Sequence, residues 1–369
     1  MQHRHQHILN RLPKNWKIIF VQPSLPGAIF QGKALSAPIN KNIFITTMPI
    51  IHAADRITFF RRINDILVVA WSRFVLKRHH IKHPVILLYE PRFSPVIGKL
   101  GERLVWYELI DDRLSFSEVP SRIRRNVETV LVNADLVTAS SGKLYDMAKS
   151  QRKERNNVFL VGNGVDYDHF AADRHDISFD NTDDSILAIN KLNHPIIGYL
   201  GSIGEWFDFE LIEKIAARFP TTFILVIGFV FPRLSKRVGE IVREHPNVRF
   251  VERKNYSKLA AYLNAFTVSI IPFKIYNLTE SVNPTKFYEY CAAGRPVITT
   301  ALPELEKYQD VISYAHDHEE FLESLESIVI LKTKKQDQDR LRSIAKENLW
   351  DSKVQAIIDI LFKFTGVIP

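Results

Sequence analysis

Lys286 and Glu289, three positions apart in "SVNPTKFYEYCAAGRPVITTALPEL" (residues 281–305), suggest a chemistry by their types and spacing. The stretch lies between two apolar, strand-like segments, "TVSIIPF" and "RPVITT". Asn283 is a good N-cap, and Pro284 can take the first helical position, where no N–H is needed. The amides that follow, with the helix dipole behind them, form an anion site to which Lys286 adds a charge. Glu289 cannot serve the same anion. A carboxylate one turn on suits accepting hydrogen bonds from vicinal hydroxyls, as on a ribose. Phosphate at the helix end and sugar hydroxyls at Glu289 together describe a nucleotide. The spacing alone leaves a plainer alternative open, a capped buried helix with one surface Glu–Lys pair.

Other residues carry weaker signals. Asp111 and Asp112 follow the strand-like "RLVWYELID", where a carboxylate could take a proton from an acceptor hydroxyl or orient it. A capped helix start at "DDRLSF" accounts for them equally well. Glu108 lies mid-strand and ranks lower. His3, His5 and His7 alternate as strand ligands would, but in a helix they fan out, so no metal is expected there. Cys291, among small residues, reads as a packed thiol.

These residues need a scaffold, and the chain supplies an alternation. "WKIIFVQP", "NIFITTMP", "HPVILLYE", "RLVWYELID" and "ADLVTASS" read as short buried strands in the first half, with "NNVFLVGNGVDYDHF" entering a Gly-Asn-Gly turn. In the second half "HPIIGYLGSI", "TTFILVIG", "NVRFVER" and "TVSIIPF" read as strands, with "FDFELIEKIAARFP", "SKRVGEIVREHP" and "SKLAAYLNAF" as helices between them. Such alternation implies parallel sheets with helices on both faces. A chain of 369 residues exceeds the usual single core, and the polar, Asp-rich stretch near 171–193 marks a connection. The expected division is an N-terminal domain of 1–172, a linker of 173–192, a second domain of 193–345 and a final helical segment of 346–369. Ligands of doubly wound sheets bind beyond the carboxyl ends of strands, and with two domains in the cleft between them. That expectation puts Gly201–Gly204, Arg253–Tyr256 and Lys274–Lys286 along one rim.

Charge is uneven. Residues 1–150 hold 22 Lys and Arg against 11 Asp and Glu, while residues 151–369 hold 27 against 30, and no acid precedes Asp55. Such asymmetry suggests that the first half faces something anionic, a membrane leaflet, a phosphorylated carrier or nucleic acid; a generally basic proteome is the plainer alternative. Nucleic acid ranks last, for want of aromatic residues interleaved with basic ones. The amphipathic segment 56–80 sets Phe59, Phe60, Trp71 and Phe74 beside Arg61, Arg62, Lys77 and Arg78. It could lie on an anionic leaflet, or form core-facing helix with a solvated basic back. A single cysteine excludes a disulfide framework and fits a reducing cytoplasm. No apolar run approaches the roughly 18 residues of a membrane span, and the first residues are too polar for a signal peptide.

With these motifs in view, "NPTKFYEYCAAGRPVITTALPEL" resembles the donor-site helix of GT-B-fold glycosyltransferases of the retaining family 4 (group 1) type, written P-x-K-x-x-E-x-x-A-x-G-(K/R)-P-V-(I/V). "IGYLGSIGEWFDFELI" resembles the opening of that family's second domain, "VGNGVDYDHF" the end of its first, and "NLWDSKVQAIIDIL" its terminal Trp-bearing helix. "YELIDDRLSF" is similar to a segment of the bacterial polysaccharide branch. The likeness is close over residues 158–369 and loose before them. It implies two Rossmann-like doubly wound α/β domains facing across a cleft, with the C-terminal helix crossing back to the first. It implies sugar transfer from a UDP- or GDP-linked donor to a hydroxyl of a glycan or lipid-linked saccharide in cell-surface polysaccharide synthesis. The enzyme would be cytoplasmic or peripheral on the inner membrane face, with no cofactor and no metal.

By residue, the resemblance implies that Glu289 holds the ribose and that Lys286 with the amides around Pro284 and Thr285 neutralises the diphosphate. Gly201 and Ser202 would let backbone approach it. Arg253 would border the base, with Tyr256 a weaker candidate. Asp111 and Asp112 would serve the acceptor. Two departures stand out. Eight residues separate Glu280 from Glu289 where the family has seven, so either Glu280 or Ser281 meets the donor sugar. The usual Arg and Lys of the first glycine turn are absent from "GSIGEWFD". A first strand and its loop are also expected to be missing before "RHQHILNRLPKNWKIIFVQP". Two rivals follow: a degenerate homologue acting as a binding or scaffold subunit, and a nucleotide-sugar epimerase of the same fold.

Overall fold

The structure, a computed structural model, describes residues 3–23, 37–38, 42–48, 58–116, 119–171, 194–330 and 335–366. The linker expected at 173–192 lies outside the described residues. The chain divides into two compact units, His5–Gly162 with Val354–Pro369, and Met1–Arg4 with Asn163–Lys353.

The N-terminal unit runs α1 (Arg4–Arg11), β1 (Ile18–Pro23), β2 (Ala37–Pro38), β3 (Ile43–Met48), α2 (Thr58–Arg78), β4 (Val85–Leu88), β5 (Leu104–Leu109), α3 (Ser121–Asn133), β6 (Leu136–Ala139), α4 (Gly142–Gln151) and β7 (Val158–Leu160). Its strands form two sheets, β1-β3-β2 and the all-parallel β4-β5-β6-β7. Among the described residues β1 has one strand neighbour, β3, in parallel register from Ile18↔Ile43. Every residue of β5, LVWYEL, is buried, as a parallel strand covered on both faces requires. Val105, Tyr107 and Leu109 point to one core with Val68 of α2 and Val127, Val130 and Leu131 of α3. Leu104 and Trp106 point to the other, against Ile8 and Leu12 of α1.

The second unit runs α5 (Tyr167–Ala171), β8 (Ile196–Leu200), α6 (Phe209–Arg218), β9 (Phe223–Ile227), α7 (Ser235–Glu244), β10 (Val248–Val251), α8 (Leu259–Ala265), β11 (Val268–Ile271), α9 (Asn277–Glu280), α10 (Thr285–Ala292), β12 (Val297–Thr300), β13 (Ser313–Ala315), α11 (His318–Ile330) and α12 (Lys335–Glu347). Its sheet is wholly parallel in the order β10-β9-β8-β11-β12-β13, the doubly wound arrangement whose order reverses between β8 and β11. The last helix, α13 (Trp350–Thr365), contributes Val354, Ile357, Ile358 and Leu361 to the core around Ile8 and Trp106. That helical spacing crosses the chain back to the N-terminal unit, each such side chain contributing about 1.5–3 kcal/mol on burial.

One local expectation needs correction. Helix α10 begins at Thr285, and its N-cap is Pro284 at φ −78°, ψ 112°, without a side-chain cap bond. Asn283 is drawn away instead. Its Nδ2 donates to Glu304 Oε2 at 3.3 Å, and its carbonyl accepts from Asn163 Nδ2 at 2.6 Å. The far end of α10 closes as its sequence suggests. Gly294, at φ +64°, takes the left-handed position that ends the helix, with its N–H bonded to the Cys291 carbonyl.

Candidate functional site

Strands β8 and β11 pair over two residues, Ile197↔Val268 and Gly198↔Ser269, before their ends part. The residues that follow each strand surround Lys286. Its Nζ lies 5.1 Å from the Tyr199 ring of β8 and 4.5 Å from the ring of Phe273, just past β11. Cation–π attraction to two desolvated rings holds the ammonium in place of a close carboxylate. The turn at Gly201 closes the third side. A Cβ on Gly201 would fall 2.7 Å from Lys286 Cε and 2.6 Å from the Tyr199 hydroxyl, so a side chain there would displace the lysine. Tyr199 is fixed in turn, donating its hydroxyl to the Ser202 carbonyl at 2.9 Å.

Helix α10 is registered against this strand end by Tyr290, whose hydroxyl oxygen accepts the Leu200 N–H at 2.8 Å. The amides of Thr285 and Lys286 have no carbonyl to reach within the helix and open its N-terminus to an anion. One turn on, Glu289 is 3% exposed, and its Oε2 has no hydrogen-bond partner among the described residues. Burial pushes the Glu289 carboxyl up to about 7, with Lys286 pulling the other way. Burial likewise brings the Lys286 ammonium down to about 8, against the attraction of Glu289. A buried acid and a half-buried base, one turn apart at a sheet's switch point, form an arrangement that structure alone does not require.

The other expected donor residues spread around this centre. Gly201, Pro284, Thr285, Lys286 and Glu289 are brought together. Ser202 contributes its carbonyl to Tyr199. Ser281 is 1% exposed and donates its hydroxyl to Leu278 O at 2.7 Å, while Glu280, the last residue of α9, stays half-buried. Arg253 is exposed beyond β10. Tyr256 stacks on His169 of α5 at 4.5 Å and 12°. A cavity of about 580 Å³ opens next to Phe273, lined by Asp208, Lys274, Thr300 and His318. Its polar groups answer one another: His318 Nε2 lies 2.9 Å from Asp208 Oδ2, and Asp208 caps α6 through Leu211 N–H. The cavity therefore adds less to the chemistry than the Lys286 pocket does.

Two signals escaped sequence reasoning. Tyr199, near the end of β8, lies two residues before Gly201 of the turn, a spacing that could have paired them. Phe273 meets Lys286 through the fold alone. Asn163, in the "VGNGVDYDHF" segment, belongs to this unit, accepts from Arg4 Nη1 at 3.0 Å and donates to the Asn283 carbonyl that leads into α10.

In the N-terminal unit, Asp111 and Asp112 follow β5. Asp112 accepts the Leu114 N–H at 3.0 Å and the Ser115 hydroxyl, the local capping role that its sequence also allowed. Burial pushes the Asp111 carboxyl up, with Arg113 opposing. Arg113 itself is bound to Glu90 at 2.6 Å. Glu108 is fully buried and accepts the Thr138 hydroxyl, which accepts the Trp106 Nε1–H at 2.6 Å. The alternating histidines lie on α1, where His5 stacks on Phe20 at 5.7 Å and His7 is buried beside Arg11. Among the described residues, the group spaced for a metal is Glu213, Glu244 and His245, and Glu213 is paired with Arg237.

Two Rossmann-like α/β units, the second with its polar site at the switch point, define the class: the chain has the GT-B fold, and the proteins it is similar to are glycosyltransferases. Sucrose-phosphate synthase from Thermosynechococcus elongatus superposes with a TM-score of 0.74 at 14% identity, covering 98% of this chain and 91% of that one. WaaG, a glycosyltransferase involved in lipopolysaccharide biosynthesis, gives 0.66 at 14%, covering 93% and 99%. Anabaena HepE in complex with UDP and glucose gives 0.66 at 15%, covering 95% and 100%. By sequence the chain is 27% identical over 270 residues to TuaH of Bacillus subtilis (strain 168), a protein named for teichuronic acid biosynthesis as a glycosyltransferase. That match spans 71% of this chain and 65% of TuaH. No family model matches the chain.

Proposed function

We propose that the protein is a glycosyltransferase that moves a sugar from a UDP- or GDP-linked donor to a hydroxyl of a glycan or lipid-linked saccharide. The observation that carries this reading is Glu289, a buried carboxylate with one oxygen unpartnered among the described residues, one turn beyond a helix N-terminus that presents Lys286. In this reading Glu289 accepts from the ribose hydroxyls. Lys286 and the α10 amides take the diphosphate, stabilising its charge as the glycosidic bond to the leaving group breaks, without calling on a metal. Glu280 or Ser281 meets the donor sugar, and Arg253 and Tyr256 border the base. In the N-terminal unit Asp111, whose carboxyl is raised by burial, takes or orients the acceptor hydroxyl. Asp112 holds the loop that carries it. The anomeric configuration is retained. TuaH, named for teichuronic acid, and HepE, in complex with UDP and glucose, support a nucleotide-sugar donor and a polysaccharide product. The basic first half supports a peripheral position at the cytoplasmic face of an anionic membrane.

Calorimetric titration of the full chain with UDP, GDP and their sugars tests this, with Glu289→Gln and Lys286→Met as variants. Binding that both variants lose while keeping the wild-type circular dichroism is the expected result. Wild type that binds none of these nucleotides returns the chain to the scaffold reading. Turnover of donor to an isomerised sugar nucleotide, without free UDP or GDP, makes it an epimerase.

A further inference from the structure

Helix α2 has one face that the core does not use. Val68 and Val75 are buried, with Val68 in the main core of the unit and Trp71 packed beside it. On the opposite side Phe59 and Ile66 are each 67% exposed and Phe74 is 47% exposed. Arg62, Ala70, Arg73 and Lys77 are exposed with them. At about 100° per residue these seven positions fall within about 120° of arc, and from Phe59 to Phe74 the stripe runs about 22 Å. Asp65, the one acid of α2, is turned aside and paired with Arg122 of α3.

We propose that this stripe is a docking surface for an anionic lipid bilayer, with Phe59, Ile66 and Phe74 entering the boundary between headgroups and acyl chains. The proposal deepens the peripheral-membrane reading above and rests on it. The chemistry favours this occupant over others. Apolar side chains alone would fit a second copy of the chain, but two such faces brought together would oppose Arg62, Arg73 and Lys77 to themselves. A bilayer rich in anionic lipid takes both components at once, apolar rings below and basic groups at headgroup level. The surrounding charge agrees, since residues 1–150 carry twice as many basic as acidic residues. Arg73 is steadied at its position by donating twice to the Lys99 carbonyl, at 3.0 and 2.9 Å.

The test is co-sedimentation of the full chain with phosphatidylcholine vesicles, with and without phosphatidylglycerol. Two variants accompany it, Phe59→Ser/Ile66→Ser/Phe74→Ser and Arg62→Glu/Lys77→Glu. Wild type is expected on the anionic vesicles only, and less in high salt. Each variant is expected to lose more than about tenfold in partitioning. Both should keep the wild-type melting temperature and nucleotide affinity, because these are surface positions away from the donor pocket. Wild type that stays off both vesicles overturns this inference and the peripheral reading together. Wild type that binds while both variants bind equally well overturns this surface alone. A wild-type dimer in light scattering that the apolar variant dissolves, without vesicle binding, assigns the face to a second copy and overturns it too. Nucleotide binding is read separately, so its absence would end the transferase reading without touching this one.

Discussion

Glu289 of the second unit and Asp112 of the first are both buried acids close to the carboxyl end of a strand, and their surroundings differ. Asp112 is answered locally: a backbone N–H and a hydroxyl, two and three residues on, satisfy its oxygens and shape the turn after β5. Glu289 is enclosed by its own helix and the sheet, yet one of its oxygens has no hydrogen-bond partner among the described residues, and burial pushes its carboxyl up to about 7. A group that stabilises its fold collects partners. A group kept for a ligand is buried without them and weakens the free protein. The same contrast runs through the glycines. Gly98 and Gly101 in the first unit adopt positive φ with open space around them, whereas Gly201 and Gly228 in the second are hemmed in by backbone and by Lys286.

The largest effect should come from the backbone of the turns that follow β8 and β9. A Cβ on Gly228 would land 1.8 Å from the Gly201 carbonyl oxygen, with both residues held in the sheet by N–H bonds to Val251 and Ile227. Gly228→Ala is expected to destabilise the chain by at least about 3 kcal/mol in urea unfolding. Gly98→Ala, where only the left-handed φ is at issue, should cost about 1 kcal/mol. Equal losses at the two positions would erase the contrast.

Next comes Glu289→Gln. Two hydrogen bonds from ribose hydroxyls to a buried carboxylate are together worth about 3 kcal/mol, so UDP or GDP affinity should fall about 100-fold by calorimetry. The unliganded variant should melt no lower than wild type at pH 8, since the substitution removes a buried charge. A variant that melts much lower yet binds normally would make Glu289 a structural acid like Asp112.

Much of this was legible before the fold was known, for physical reasons. The apolar β-branched runs marked the long parallel strands because strands buried on both faces have few polar positions. Strands β2 and β13, "AP" and "SYA", are too short to carry any period. Lys286 and Glu289 could be picked out because both sit on one helix, where spacing becomes geometry. Tyr199 and Phe273 could not, because their contact with the ammonium is made by the closing of the sheet. The start of α10 was misplaced by one residue because Asn283 finds Glu304 and Asn163 across the fold, partners that no local rule contains.

The pH dependence sharpens the comparison further. Between its ordinary 4.5 and about 7, Glu289 holds a proton in the folded chain that it has released in the unfolded one, so stability falls as pH rises through that range. Lys286 acts in the opposite sense. Between about 8 and its ordinary 10.5 the folded chain has released a proton that the unfolded one keeps, so stability recovers with rising pH. In the proposed reading, nucleotide binding needs the carboxylate and the ammonium together. Affinity should peak between about pH 7 and 8, where the free protein is least stable, and drop by about tenfold per unit on either side. Glu289→Gln should remove the acid limb and leave the alkaline one. A flat profile from pH 6 to 9 would show that the pair does not meet the ligand.

The smallest effect belongs to Asp112. Asp112→Ala leaves the Leu114 N–H without its acceptor and frees the turn that follows β5, a change of the size of a lost cap, about 1 kcal/mol. Urea unfolding should show that loss with the slope unchanged, and UDP or GDP affinity should stay at the wild-type value. The two acids separate by what each variant loses. Asp112→Ala should lower stability and leave affinity alone, whereas for Glu289→Gln the stability advantage of the variant should grow from pH 4.5 to 7 while affinity falls. If Asp112→Ala weakened nucleotide binding, or Glu289→Gln lost stability over that range, the distinction between an acid that holds the fold and one kept for a ligand would fail at the residues where it is drawn most sharply.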